Sequence, residues 1–249
     1  MISLKSPREI ELMAIAGSIV GKVHKKMAEV IRPGISTLEL DRIAEKVIRD
    51  NDATPSFKNY QGFPCATCTS INDMLIHGIP DHTILKDGDI ISVDVGACYK
   101  GYHGDSAWTY RVGSVSEDVE KLLQVTEQSL FEGLKQVKPG NHVGDIGHAI
   151  QTYVEAHGYS LPRDYTGHGI GRSVHEDPFV PNVGEPGTLE LLKKGMCIAI
   201  EPMVFMGSNK CYTLQDGWGV KSYDHNWSAH YEHTIVVTED GYRILTKED

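Results

Sequence analysis

One histidine and two acids recur in the same order in each half of the chain. His77 opens HGIP, Asp94 closes KDGDIISVD and Asp105 closes GYHGD; His175 opens HEDP, Glu201 closes KKGMCIAIE and Glu232 stands in AHYEHT. The approaches to Asp94 and Glu201 match closely, because Lys86-x-Gly88 and Lys193-x-Gly195 each lead into a short apolar run that ends in an acid. A duplicated unit that brings both copies to one axis collects four carboxylates. Like charges at that density must either protonate or bind cations. His168, in TGHGIG, has no counterpart in the first half. Four acids and one imidazole suit two hard-to-borderline divalent ions.

Any one of these residues has an ordinary structural explanation, since a strand aspartate is usually a hydrogen-bonded scaffold group. The ordered recurrence separates the two readings, because a scaffold acid need not return at the matching end of a matching strand. Competing motifs fail on inspection. Phe179 occupies the position where a zinc-protease HExxH needs its second histidine, Gly167–Gly171 lacks GxGxxG spacing, and no serine lies in GxSxG.

Helices and strands at regular intervals must position the two sets. Ser6-Pro7-Arg8-Glu9 is a capping box with proline at the first helical position, and Ile10, Met13, Ala16, Val20, Val23, Met27 and Val30 form a helical stripe. A second helix is expected from Thr37, with Leu40, Ile43, Ala44, Val47 and Ile48 facing inward, and 53–70 read as a loop. Alternation from Asp89 to Tyr99 predicts a strand, and Lys100-Gly101 a hairpin into a second strand near 103–112. On that hairpin Asp94 and Asp105 share a face. The second half repeats the plan, with a helix from Ser116 to about Val137, another from Val143 to His157, and strands near 196–205 and 231–238. Pro33-Gly34 and Pro139-Gly140 recur before the second helix of each half. With no Pro- or Ser-rich linker, the expectation is a single domain over 1–249, its pseudo-symmetric halves dividing near 115/116.

The chain has 249 residues, is 40% hydrophobic and carries a formal net charge of −10. That balance argues against a nucleic-acid partner, which favours a basic face. No apolar run is long enough to cross a membrane, and a start charged this early and often is not expected of a signal peptide. Five sparse cysteines fit a reducing cytosol, and the isolated Cys65-x-x-Cys68 pair is read as ordinary thiols.

HGIP, VDVG, GYHGD, GHGIG, HEDP, AIEPM and YEHTIVV, in order over residues 77–237, resemble the type I methionine aminopeptidases. The resemblance implies an α+β pita-bread fold, two related halves wrapping helices around a curved antiparallel sheet. It implies a dinuclear site in which Asp94, Asp105, His168, Glu201 and Glu232 hold two divalent ions (Co, Mn, Fe or Zn). Asp105 and Glu232 bridge both, Asp94 completes one, and His168 and Glu201 complete the other. The same resemblance implies that a metal-bridged hydroxide attacks the scissile carbonyl, with Glu201 moving its proton, while His77 and His175 face the substrate. A methionine pocket of Tyr60, Phe63, Cys68, Val174 and Trp218 follows in the same way, as does a monovalent cation site near Asn72 and Ser228. The chain departs from a frequent pattern at Val174, where a bulkier aromatic often stands, and at Phe57, where a cysteine occurs.

The implied task is removal of initiator methionine from nascent cytoplasmic proteins, preferring a small second residue, by a monomer that meets the ribosome transiently. Xaa-Pro aminopeptidases and dipeptidases are the alternative. They usually carry an additional N-terminal domain, which is not expected here because the catalytic motifs and their helices start near Met1. Type II relatives carry an insertion that the short gap from His175 to Glu201 does not hold. A metal-free binding module would be expected to have lost ligands.

Overall fold

The computed structural model describes residues 2–247. Helix α1 (Pro7–Val30) begins with the expected reciprocal cap between Ser6 and Glu9, and α2 (Thr37–Asp50) has the same arrangement between Ser36 and Glu39. Along α1 the stripe buries Met13, Ala16, Val20, Val23 and Met27. Strand β1 (Thr54–Pro55), a tight turn at Tyr60–Gly62, β2 (Thr67–Ile71) and β3 (Met74–Ile76) precede the long hairpin β4 (Ile90–Tyr99) and β5 (Tyr102–Arg111). The segment 53–70 is therefore not a loop. Thr67–Ile71 pairs antiparallel with Val95–Ile91, and Thr54–Pro55 pairs with Cys98–Ala97 on the same edge of β4.

The second half supplies α3 (Glu117–Leu134), α4 (Val143–Ala156), β6 (Thr166–Gly169), β7 (Glu176–Pro181), β8 (Cys197–Ile200) and β9 (Met203–Phe205). It ends with β10 (Cys211–Thr213), β11 (Val220–Ser222), β12 (Ser228–His230), β13 (His233–Val237) and β14 (Tyr242–Ile244). The expected strand over 196–205 is interrupted at an acid, while the one near 231–238 is present as β13 and begins just after an acid. Glu201-Pro202 separates β8 from β9, and Tyr231-Glu232 separates β12 from β13. Proline has no N–H for a ladder, so the break at 202 follows from the sequence. Strand order in the second-half sheet is β14-β13-β8-β6-β7, and β3 crosses over to pair with β11.

The halves repeat in detail. Gly34 and Gly140 both adopt φ 94°, and Gly88 and Gly195 adopt 92° and 88°, a left-handed backbone that favours glycine. Leu85 N–H bonds to Ile35 O at 2.9 Å, and Leu192 N–H bonds to Asn141 O at 2.8 Å. Alternation along β4 directs Ile91, Val93, Val95 and Ala97 into the cluster beneath α1 and α2, leaving Ser92, Asp94 and Gly96 on the other face. Where α1 crosses β5, a Cβ on Gly104 would lie 2.7 Å from Gly17 N, and one on Gly17 2.1 Å from Leu245 O. Backbone meets backbone there.

A line of hydroxyls joins β5 to the β12–β13 segment. Ser106 Oγ donates to Glu232 O at 2.6 Å, Thr109 Oγ1 to His230 O at 2.8 Å, and Thr234 Oγ1 to Asp105 O at 2.8 Å. Main-chain Glu232 N–H adds a bond to Ala107 O at 2.8 Å. This seam between the halves runs directly past two of the recurring acids.

Candidate metal centre

Each acid reaches the seam from a different structural position. Asp94 lies opposite Ala107 and Asp105 opposite Gly96, so the two carboxylates sit diagonally on one face of the hairpin. Glu201 and Glu232 occupy the two strand breaks, and His168 projects from β6 beside β8. These five side chains line one cavity together with His77 and His175. His168 Nε2 is 3.5 Å from Glu201 Oε1 and 3.9 Å from Asp105 Oδ2. Two donor sets share Glu232: one with Asp105 and His168, the other with Glu201 and His230.

The site's charges do not balance within the protein. Among the described residues, no lysine or arginine lines the cavity. Asp94 Oδ1, Asp105 Oδ1 and Glu232 Oε1 are buried without a hydrogen-bond partner. Burial, followed by the charges of neighbouring acids, pushes the Asp105 and Glu232 carboxyls well above the usual range. Burial alone raises Glu201 to about 8, while burial, opposed by His230, raises Asp94 to about 7. Cations remove that penalty by restoring the charged form of each acid and taking up the vacant lone pairs. His168 suits a ligand equally well. Its Nδ1 lies 2.9 Å from Gly169 O, which can only accept, so Nδ1 carries the proton and Nε2 presents a lone pair. Burial lowers its pKa to about 3 and keeps it neutral. The donor set fits divalent cations.

The remaining wall is aromatic and apolar except at Gln61. Phe57, Tyr60, Phe63, Cys68 and Trp218 line a cavity of about 160 Å³. That volume, shared between the acid end and the aromatic wall, is close to the roughly 150 Å³ cavity that admits a benzene molecule. Phe63 and Trp218 meet edge to face with centroids 5.1 Å apart. Val174 is not part of the lining. It is buried in the cluster of Phe57, Phe63 and Cys68 and backs the wall instead. Burial raises the Cys68 thiol well above its ordinary value, so it serves as wall and not as nucleophile. Phe57 fills space near Gly96, where a Cβ would lie 2.9 Å from its ring.

His77 has φ 60°, a left-handed conformation for a non-glycine residue, and burial holds its pKa near about 4. His175 Nδ1 lies 2.9 Å from Tyr60 Oη, and its ring is 4.2 Å from that of His168. Asn72 and Ser228 are in contact, but Asn72 O already accepts Ser228 N–H at 2.9 Å and its hydroxyl at 3.3 Å. The motif comparison missed His230. It is buried beside Glu201, and the available signal was its spacing of two residues from Glu232, which puts both on one face of an extended chain.

Paired helices about an antiparallel sheet, with acids from both halves at the junction, define the pita-bread fold of metal-dependent peptidases. The chain belongs to metallopeptidase family M24, whose model matches residues 11–239. It is 53% identical over 247 residues to methionine aminopeptidase 1 of Bacillus subtilis, covering 99% of this chain and 100% of that protein. The structure of a methionine aminopeptidase from Thermotoga maritima superposes with a TM-score of 0.98 at 44% identity, covering all of both chains. A prolidase from Pyrococcus horikoshii shares the fold with a TM-score of 0.80 at 26% identity, this chain spanning 64% of its length.

Proposed function

We propose that the protein removes N-terminal methionine from peptides and nascent proteins with a small second residue. Two divalent cations (Co, Mn, Fe or Zn) would be held by Asp94, Asp105, His168, Glu201 and Glu232. The carrying observation is the division of one small cavity into a wall of unpartnered buried acids and a wall of aromatic rings. Bound at the acid end, the cations would supply an acidified water as nucleophile and a seat for the free α-amino group.

The chain's own residues complete the chemistry. Phe63, Trp218 and Tyr60 take the methionine side chain, whose burial is worth roughly 1.5–3 kcal/mol. With Tyr60 donating to His175 Nδ1, the proton of His175 sits on Nε2, ready to be donated to the carbonyl oxygen as it gains charge. His77 meets the scissile amide nitrogen. Glu201, at the edge of the ligand cluster, takes the proton of the attacking water and returns it to the departing amine.

A single catalytic domain over 1–249, halved near 115/116, acting as a cytoplasmic monomer in transient contact with ribosomes, is the setting that agrees with this role. The prolidase likeness supplies the second reading. Metal-stripped protein assayed on Met-Ala-Ser and on a peptide beginning Gly-Pro, with Mn or Co restored stepwise, separates the two. Metal-dependent release of methionine is expected, and cleavage before proline alone refutes the proposal.

A further inference from the structure

His230 is a buried imidazole whose Nε2 faces Glu201 Oε2 at 3.4 Å without completing a hydrogen bond. It is 1% exposed, and its Nε2 has no hydrogen-bond partner. Thr109 fixes its main chain on both sides, accepting from His230 N at 3.0 Å and donating to His230 O at 2.8 Å. Alternation then sends Tyr231 against Trp108, with centroids 4.7 Å apart, and leaves His230 and Glu232 facing the acids. A packing role needs no nitrogen there, and an unpaired buried one is costly.

The two oxygens of Glu201 are flanked alike. His168 Nε2 lies 3.5 Å from Oε1, and His230 Nε2 lies 3.4 Å from Oε2. The imidazoles differ in how they are held. Gly169 O fixes the His168 proton on Nδ1 and frees its Nε2 as a lone-pair donor. Among the described residues, no carbonyl binds Nδ1 of His230 in that way. Its proton can therefore sit on Nε2, facing a carboxylate oxygen. A carboxylate held at one oxygen offers the other to a cation in a fixed direction.

Resting on the metal-centre reading above, we propose that His230 is a positioning residue. Its Nε2–H holds Glu201 Oε2, so that Oε1 is presented to the ion beside His168. His230 itself stays outside the coordination sphere. An amide donor can replace it in this role, and a hydrocarbon cannot.

The test compares wild type, His230→Gln and His230→Leu, titrated with Mn(II) and Co(II) by calorimetry. His230→Leu should weaken the tighter ion roughly ten- to hundredfold, the usual loss for such supporting partners. His230→Gln should restore most of that affinity. Co(II)-loaded wild-type protein should show one hyperfine-shifted, exchangeable imidazole N–H, from His168, in its proton NMR spectrum. A second such signal, absent from His230→Gln, would make His230 a direct ligand and overturn the proposal. Equal affinities in all three proteins would overturn it too. The NMR arm uses wild type and His230→Gln alone, so it stands even if His230→Leu fails to fold. Wild-type protein that takes up neither ion would refute the metal-centre reading itself.

Discussion

Stripped of cations, the folded protein should lose stability as pH rises, and the loaded protein should not. Burial holds the Asp94 carboxyl at about 7 and the Glu201 carboxyl at about 8 in the cation-free fold, against ordinary values of 3.8 and 4.5. Between those limits the folded protein keeps protons that the unfolded chain has released, so each increment of pH favours unfolding. The contribution is whole below about pH 4 and is lost as pH climbs through about 7 to 8. A carboxyl raised by about three pH units accounts for ~4 kcal/mol. Because Asp94 and Glu201 repel each other, one such figure is taken for the pair. It is a large share of the 5–15 kcal/mol that typically holds a domain together, and for a chain of this size it moves Tm by roughly 8–16 °C. Thermal unfolding with chelator and with Mn, at about pH 5.5 and about pH 8.5, measures the difference. Only the part of the loss above pH 5.5 is sampled, about 2–3 kcal/mol, so the gap in Tm between loaded and chelated protein should widen by roughly 4–12 °C at the higher pH. A gap that does not change with pH would mean that the acids are ionised throughout, and the argument from their burial would fall.

Glu201→Gln should lower kcat by at least about a hundredfold while leaving the chelated protein no less stable, since a neutral amide replaces a buried acid; near-wild-type turnover in a steady-state assay would remove the proton-transfer role. Tyr60→Phe frees His175 Nδ1, so kcat/KM on Met-Ala-Ser should fall roughly tenfold with metal affinity unchanged in calorimetry. An unaltered kcat/KM would show that Tyr60 does not orient the ring. Gly17→Ala puts a Cβ 2.1 Å from Leu245 O, so urea unfolding should show a loss of about 2 kcal/mol or more. An unmoved midpoint would contradict the close approach of α1 to its surroundings.

Local signals made the helices readable. Ser6/Glu9 and Ser36/Glu39 cap as their spacing requires, and Lys100-Gly101 turns the hairpin with both residues at positive φ, 49° and 82°. The five ligand-type acids and histidine were legible because duplication marks them twice, or by exception once. Strand β2 was hidden because Thr67, Thr69 and Ser70 are polar yet buried against β4, where pairing outweighs the turn-rich composition around them. Val174 lies behind the lining residues Phe57, Phe63 and Cys68, a placement that sequence adjacency to His175 does not show. His230 escaped because motif matching weighs recurrence. His103 stands at the same spacing from Asp105, but its ring turns away to Ser56 Oγ at 2.8 Å. Identical spacing led to different partners.

The hydroxyl seam between β5 and the β12–β13 segment bears on ancestry. Two separate copies of one half, docked by symmetry, would deliver every side chain to the axis twice. Neither an unpaired His168 nor a His230 whose counterpart faces elsewhere could arise in such a pair without its rotated copy. A single polypeptide is free of that constraint, because a substitution on one side of Ser106 and Thr234 is not repeated on the other. The covalent joining of the halves allows one flank of the acid cluster to carry imidazoles that the other lacks.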